Sequence, residues 1–231
     1  MRAYVLCGGF GTRLQSVTQG TQKALVAVHG VPFLQVVLCQ LARAGVTEVV
    51  LCAHYRADQM AEHLDALSKA CGLVLRLVVE AEPLGTGGAL LNALAEQAPH
   101  GRYLVLNADT YLDAPAYRLA VEALGHAVVG VKVDDRSRYG SLSLDQANRL
   151  CSIEEKGGGG PGLINAGIYA FDVAAFSGRA VQACSLERDL LPELLGREAV
   201  MVCEYEGRFI DIGTPESFAR YSTEFQLDTA Q

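Results

Sequence analysis

Short, uniformly apolar runs alternate with longer segments of helical periodicity through the first 135 residues. Residues 3–7, 48–53, 73–79, 103–107 and 127–133 are brief, rich in Val, Leu and Ala, and nearly free of polar interruption, which predicts strands buried on both faces. Between them, residues 33–44, 57–71 and 86–98 predict helices. In the second of these, Met60, Leu64, Leu67 and Cys71 recur at i, i+4, i+7 and i+11 and so line one helix face. Alternation of strand and helix implies right-handed crossovers and a Rossmann-like three-layer α/β sandwich around a mostly parallel mixed sheet. After residue 135 the pattern changes. Residues 140–144, 150–154, 164–171 and 200–204 read as strands joined by turns, which predicts a small antiparallel cap.

A glycine-rich turn follows the first predicted strand: Leu6-Cys7-Gly8-Gly9-Phe10-Gly11-Thr12-Arg13-Leu14, with Lys23 nine residues further on. Glycines let several backbone N–H groups converge on an anion, and Arg13 and Lys23 add the full charges that a triphosphate requires. A P-loop would need Gly-Lys-Ser/Thr, and Arg13-Leu14 stands there instead. The dinucleotide fingerprint would need a third glycine at Leu14 and an acidic residue about 20 residues on. Asp and Glu are absent from Met1 to Thr47, which disfavours a nicotinamide enzyme. A plain chain reversal would account for the glycines but not for Arg13 and Lys23.

Net charge narrows the ligand class. At −7 over 231 residues the chain lacks the basic excess needed to coat nucleic acid or an anionic membrane, so a polyanion must meet a local cationic pocket. The seven cysteines form no Cys-x-x-Cys pair and sit mostly in apolar runs, which suits a reducing cytoplasm. Residues 24–42 carry no Asp, Glu, Lys or Arg, but His29, Gly30, Pro32, Gln35 and Gln40 break the stretch, so strand, turn and helix are expected rather than a membrane span. His29 beside Gly30 reads as a tight turn.

Carboxylates mark the ends of apolar runs. Asp109 closes Asn107-Ala108-Asp109, and Asp211 closes Phe209-Ile210-Asp211 ahead of Gly213-Thr214-Pro215. Strand ends of this kind face the ligand edge of a parallel sheet. Two such carboxylates suit Mg²⁺, which prefers oxygen ligands, although Asp211 could instead brace the turn into a helix capped by Thr214-Pro215. Glu82-Pro83-Leu84-Gly85-Thr86-Gly87-Gly88 opens a helix whose N-terminus would favour an anion. Glu155-Lys156, followed by four glycines, offers a cation beside a pliant segment.

Taken in chain order, these motifs together with Asn165-Ala166-Gly167 resemble the sugar-1-phosphate nucleotidyltransferase family over nearly the whole length. Arg138-Tyr139-Gly140 and Ser185-Leu186-Glu187-Arg188-Asp189 look most like its heptose-1-phosphate guanylyltransferases. The resemblance implies one domain spanning 1–231, with a nucleotide-binding half to about residue 135 and a sugar-binding half beyond it. It implies that GTP and a sugar 1-phosphate are joined with Mg²⁺ as cofactor in the cytoplasm, and it leaves room for a homo-oligomer; another sugar or base, or a non-catalytic sensing subunit, is the alternative. By the same resemblance Arg13, Lys23, Asp109 and Lys156 would be catalytic, and Asp109 and Asp211 would hold the metal. Leu6, Gly8, Gly9, Gly11, Thr12, Glu82, Gly87 and Asn107 would line the nucleotide, while Gly140, Glu155, Lys156 and Asn165 would meet the sugar. Two departures stand out: Gln22-Lys23-Ala24 lacks the family's flanking prolines, which implies a looser loop, and Ala108 replaces the usual glycine before the aspartate.

Overall fold

The computed structural model describes residues 1–154 and 158–224. Its strands are β1 (Arg2–Leu6), β2 (Ala27–Val28), β3 (Val31–Pro32), β4 (Glu48–Ala53), β5 (Val74–Val79), β6 (Tyr103–Asn107), β7 (Thr110–Leu112), β8 (His126–Val133), β9 (Ser141–Leu144), β10 (Leu150–Glu154), β11 (Gly162–Phe171), β12 (Val200–Tyr205) and β13 (Phe209–Asp211). Its helices are α1 (Gln15–Thr18), α2 (Phe33–Arg43), α3 (Ala57–Cys71), α4 (Gly85–Glu96), α5 (Ala114–Glu122), α6 (Leu191–Leu195) and α7 (Pro215–Glu224).

Nine strands form the central sheet, along the path β10-β9-β11-β6-β1-β4-β5 with β8 and β12 added beside β11. β1 pairs parallel with both β4 and β6, and β4 pairs parallel with β5. Only β11 and β10 run against the other seven, so the sheet is mixed and mostly parallel. Side chains alternate across it: Ala3, Val5 and Cys7 enter the core under α2, α3 and α5, while Tyr4 enters the opposite core under α4 and α6. Each core residue of Leu size contributes about 1.5–3 kcal/mol on burial.

The predicted strands and helices appear with ends moved by one or two residues. A small antiparallel sheet is present, but it is built from other strands than the pattern suggested. Strands of the second half join the central sheet, and the separate antiparallel pair is β7 with β13. Physically, β11 is apolar and buried along its last six residues, so it belongs between other strands and not over them. Helix α5 was not legible as one, because Ala114-Pro115-Ala116 masks its periodicity; the proline sits in its first turn, where no N–H is needed. His29 and Gly30 both adopt positive φ in the β2–β3 hairpin, the tight turn expected there. Among the described residues no helix is long and apolar enough to cross a membrane.

The start of α4 is pressed against the chain at 182–186. Gly87 and Gly88 N–H both donate to the Cys184 carbonyl, at 3.0 and 3.2 Å. A Cβ on Gly88 would lie 2.5 Å from the Gln182 carbonyl oxygen, so backbone would have to move. Gly88→Ala should therefore cost about 1–3 kcal/mol through overpacking and lower Tm by about 2–4 °C per kcal/mol, measured by calorimetry; an unchanged Tm would show that this contact is slack.

Candidate active site

The edge at the carboxyl ends of β1, β5 and β6 carries the candidate chemistry, as expected for a parallel sheet. Cys7 N–H still donates to Cys52 O at 2.8 Å, and the chain then leaves the sheet at Gly8. A Cβ at Gly8 would come within 2.8 Å of Glu80 Oε1, so glycine lets the loop pass close beside that carboxyl without displacing it. Gly11 turns the loop at φ +60, and Leu14 N–H bonds back to its carbonyl at 2.9 Å. Gln22, only 2% exposed, then ties the returning chain down. Its Nε2 donates to Cys7 O at 2.7 Å, its Oε1 accepts from Ala24 N–H at 2.6 Å, and its own N–H donates to Gln59 Oε1 at 2.8 Å. Where flanking prolines would stand, a buried glutamine ties the returning chain to Cys7, Ala24 and Gln59.

Two cavities open on this edge. The first, of about 420 Å³, is lined by the whole glycine loop from Leu6 to Arg13, by Gln22 and Lys23, and across from them by Glu80, Thr86 and Asn107. The second, of about 380 Å³, is lined by Tyr139, Gly140, Ile153, Asn165, Glu187, Phe209 and Asp211. Arg13, Asn107 and Asp109 line both. Gly167 (φ +73) is needed at that junction, since a Cβ there would lie 2.6 Å from Asn107 Nδ2.

Lys23 Nζ stands 2.5 Å from Asp109 Oδ2. Asp211 lies opposite Thr110 in the β13–β7 pair, and Ile212 N–H donates to Asp109 O at 2.9 Å, which binds the two aspartate segments together. The Asp211 carboxylate accepts from Gly213 N–H and is 3.6 Å from the Arg138 guanidinium. Among the described residues there is no group of three or more His, Cys, Asp or Glu side chains able to hold a metal. Asp109 and Asp211 both line the second cavity, and carboxylate oxygens are the hard donors that Mg²⁺ takes.

Other expected residues lie elsewhere. Glu82 is exposed and lines neither cavity. Gly87 is buried against Cys184, and its N–H and that of Gly88 donate to the Cys184 carbonyl. Glu155 and Lys156 fall outside the described residues. Glu80, Tyr139, Glu187 and Phe209 line the cavities and were not among the expected residues. Glu80 could have been found by the rule that found Asp109, since it too is a carboxylate at the end of an apolar strand. Burial lifts its carboxyl above the ordinary range, more than the Leu84 N–H, at 2.9 Å, and His54 pull it down. Its Oε1 is buried with no partner among the described residues.

Gln22→Ala should lose about 2 kcal/mol from two broken hydrogen bonds, seen as a lower urea midpoint at unchanged slope. Unchanged stability would mean that the loop is not braced through this side chain.

A family model described as Nucleotidyl transferase matches residues 2–227. The D-glycero-alpha-D-manno-heptose 1-phosphate guanylyltransferase of Campylobacter jejuni is 31% identical over 221 residues, covering 96% of this chain and 98% of that protein. The mannose-1-phosphate guanylyltransferase catalytic subunit beta of Drosophila melanogaster is 34% identical over 227 residues, 94% of this chain but 60% of its own length. A crystal structure of HddC from Yersinia pseudotuberculosis complexed with GMP-PN superposes with TM-score 0.83 at 33% identity, covering 97% of this chain and 99% of that one.

Proposed function

This chain belongs to the nucleotidyl transferase family, and from that premise we propose that it transfers GMP from GTP to D-glycero-α-D-manno-heptose 1-phosphate, releasing pyrophosphate. The observation that carries the reading is the pair of cavities meeting at Arg13, Asn107 and Asp109. The triphosphate occupies the first and the sugar phosphate the second. A phosphate oxygen of the sugar attacks the α-phosphorus in line; that P–O bond forms as the bond to the bridging oxygen breaks, and its electron pair leaves with pyrophosphate. No protein nucleophile is required, so positioning and charge compensation supply the catalysis. Arg13 and Lys23 neutralise the triphosphate, Lys156 orients the sugar phosphate, and Gly140, Glu155 and Asn165 meet the sugar. Asp109 and Asp211 would hold Mg²⁺, which supplies Lewis-acid compensation of phosphate charge. The product serves nucleotide-sugar biosynthesis for capsule or lipopolysaccharide, in the cytoplasm. Mannose 1-phosphate is the second acceptor to test, given the Drosophila relative.

Glu80 supports guanine as the base. Guanine presents two adjacent donors, N1–H and the 2-amino group, where uracil and thymine present one N–H between two carbonyls. A carboxylate is acceptor-only and matches the double donor. The buried Glu80 Oε1, at the wall of the first cavity, has that capacity unspent.

A matrix of triphosphates against sugar 1-phosphates, read by pyrophosphate release, tests the assignment directly; release with no sugar dependence would overturn it. Asp109→Asn should cut turnover by about 10²-fold or more with the fold intact, checked by the same assay alongside circular dichroism. Glu80→Gln should raise KM for GTP about 10- to 100-fold and narrow the preference over UTP. The pH dependence has a definite sign. A carboxyl pKa raised by burial means that the folded apo protein keeps this proton to higher pH than the unfolded chain does, so the stability linked to Glu80 declines as pH rises above the ordinary 4.5. GTP binding to the ionised form strengthens over that same window, and calorimetric titration against pH should show the trend in the wild type and lose it in Glu80→Gln.

A further inference from the structure

The two cavities are joined by a chain of half-buried hydrogen bonds whose direction one carboxylate sets. Asn165 Nδ2 donates to the Tyr169 hydroxyl at 2.6 Å, and that hydroxyl donates to Glu187 Oε1 at 3.0 Å. Glu187 Oε2 accepts from Thr86 Oγ1 at 2.9 Å and from Ser185 Oγ at 3.1 Å. Thr86 Oγ1 in turn accepts from Leu186 N–H at 2.9 Å. Thr86 lines the first cavity, whereas Asn165 and Glu187 line the second.

Polarity along this chain is not free to vary. An ionised glutamate can only accept, so three hydroxyls must all point their protons at it. Tyr169 is wholly buried, and burial together with the Glu187 charge drives its phenol pKa well upward, keeping it a donor. With its proton committed, the phenol oxygen can only accept from Asn165, which fixes the amide with nitrogen toward Tyr169. Gly167 N–H confirms that orientation by donating to Asn165 Oδ1 at 2.9 Å. The second N–H and remaining lone pair of Asn165 are thereby presented in one fixed arrangement. Where the chain begins, Thr86 stands on the first turn of α4, beside the triphosphate cavity.

We propose that Tyr169 and Glu187 are positioning residues that orient Asn165 for the acceptor sugar and couple that orientation, through Thr86, to nucleotide in the first cavity. The proposal rests on the transferase reading above. Its signature is substrate synergy: the GTP analogue and the sugar 1-phosphate tighten each other's binding, reciprocally and by the same factor. The network predicts that this factor resides in the hydroxyl of Tyr169 and the charge of Glu187.

Tyr169→Phe removes the relay and leaves the ring. It should raise KM for heptose 1-phosphate about tenfold, with KM for GTP within about twofold, and abolish the synergy seen by calorimetry with a non-hydrolysable GTP analogue. Glu187→Gln, at a half-buried position, should give the same split, because its amide can donate and so lets Asn165 turn over. A merely structural role would lower Tm and raise both constants equally, and that result in both variants would overturn the proposal. Unaltered synergy in both variants would do so as well. A wild-type chain that releases no pyrophosphate with any sugar 1-phosphate would instead sink the transferase reading and this inference with it.

Discussion

Parallel register between β1 and its two neighbours is the constraint from which the rest follows. Leu6 stands beside Cys52 on one side and Asn107 on the other, so three chains leave the sheet at one level of one edge. The glycine loop follows from the first and Asp109 from the last, while β5, paired in step with β4, delivers Glu80. Side chains alternate along a strand, so a one-residue slip would turn Ala3 and Val5 out of their core and Tyr4 out of its own. The cores under the two helical layers therefore hold the register, and the register assembles the site.

Charge at that edge is arranged in opposed pairs. The protein is acidic overall, yet Arg13 and Lys23 face the first cavity, and the ion pair of Lys23 with Asp109 balances one candidate metal ligand before any substrate arrives. Arg138 stands in a similar relation to Asp211. Such half-exposed pairs contribute little to folding, on the order of 1 kcal/mol or less. Their effect is on the site, because compensated carboxylates repel one another less. Glu80 is the exception, a carboxyl kept from solvent with one oxygen unpartnered among the described residues. It is costly unless something meets it.

Rigidity comes from polar side chains acting on backbone. Gln22 holds three segments around the glycine loop, and Glu187 collects three hydroxyls between the cavities. Both are buried or half-buried, where hydrogen bonds are strong and unpaired groups are expensive. The mixed character of the sheet adds to this. Because β11 runs antiparallel beside β6, Asn165 and Gly167 are brought back toward Asn107, and the second cavity forms against the first.

How much of this could be read from the chain follows from the range of each signal. Strand and helix periodicity, the glycine turn, Arg13, Lys23 and the strand-end aspartates are local patterns, legible because backbone freedom and side-chain alternation are set within a few residues. The fold class and the site's edge came from them. Helix α5 and the short β7–β13 pair were not legible, since Pro115 obscures one and the other joins segments about 100 residues apart. Glu82 and Gly87 were named by resemblance alone; the structure leaves Glu82 exposed outside both cavities and packs Gly87 against Cys184. Glu80, Tyr169 and Glu187 gain their importance from burial and from partners distant in the chain, and hydrogen-bond direction in a closed network is a property of three-dimensional neighbours alone. The amino-acid order determined which charges exist and where the strands end; the tertiary structure decided which of them are desolvated together, because dielectric and distance are fixed only when the layers close.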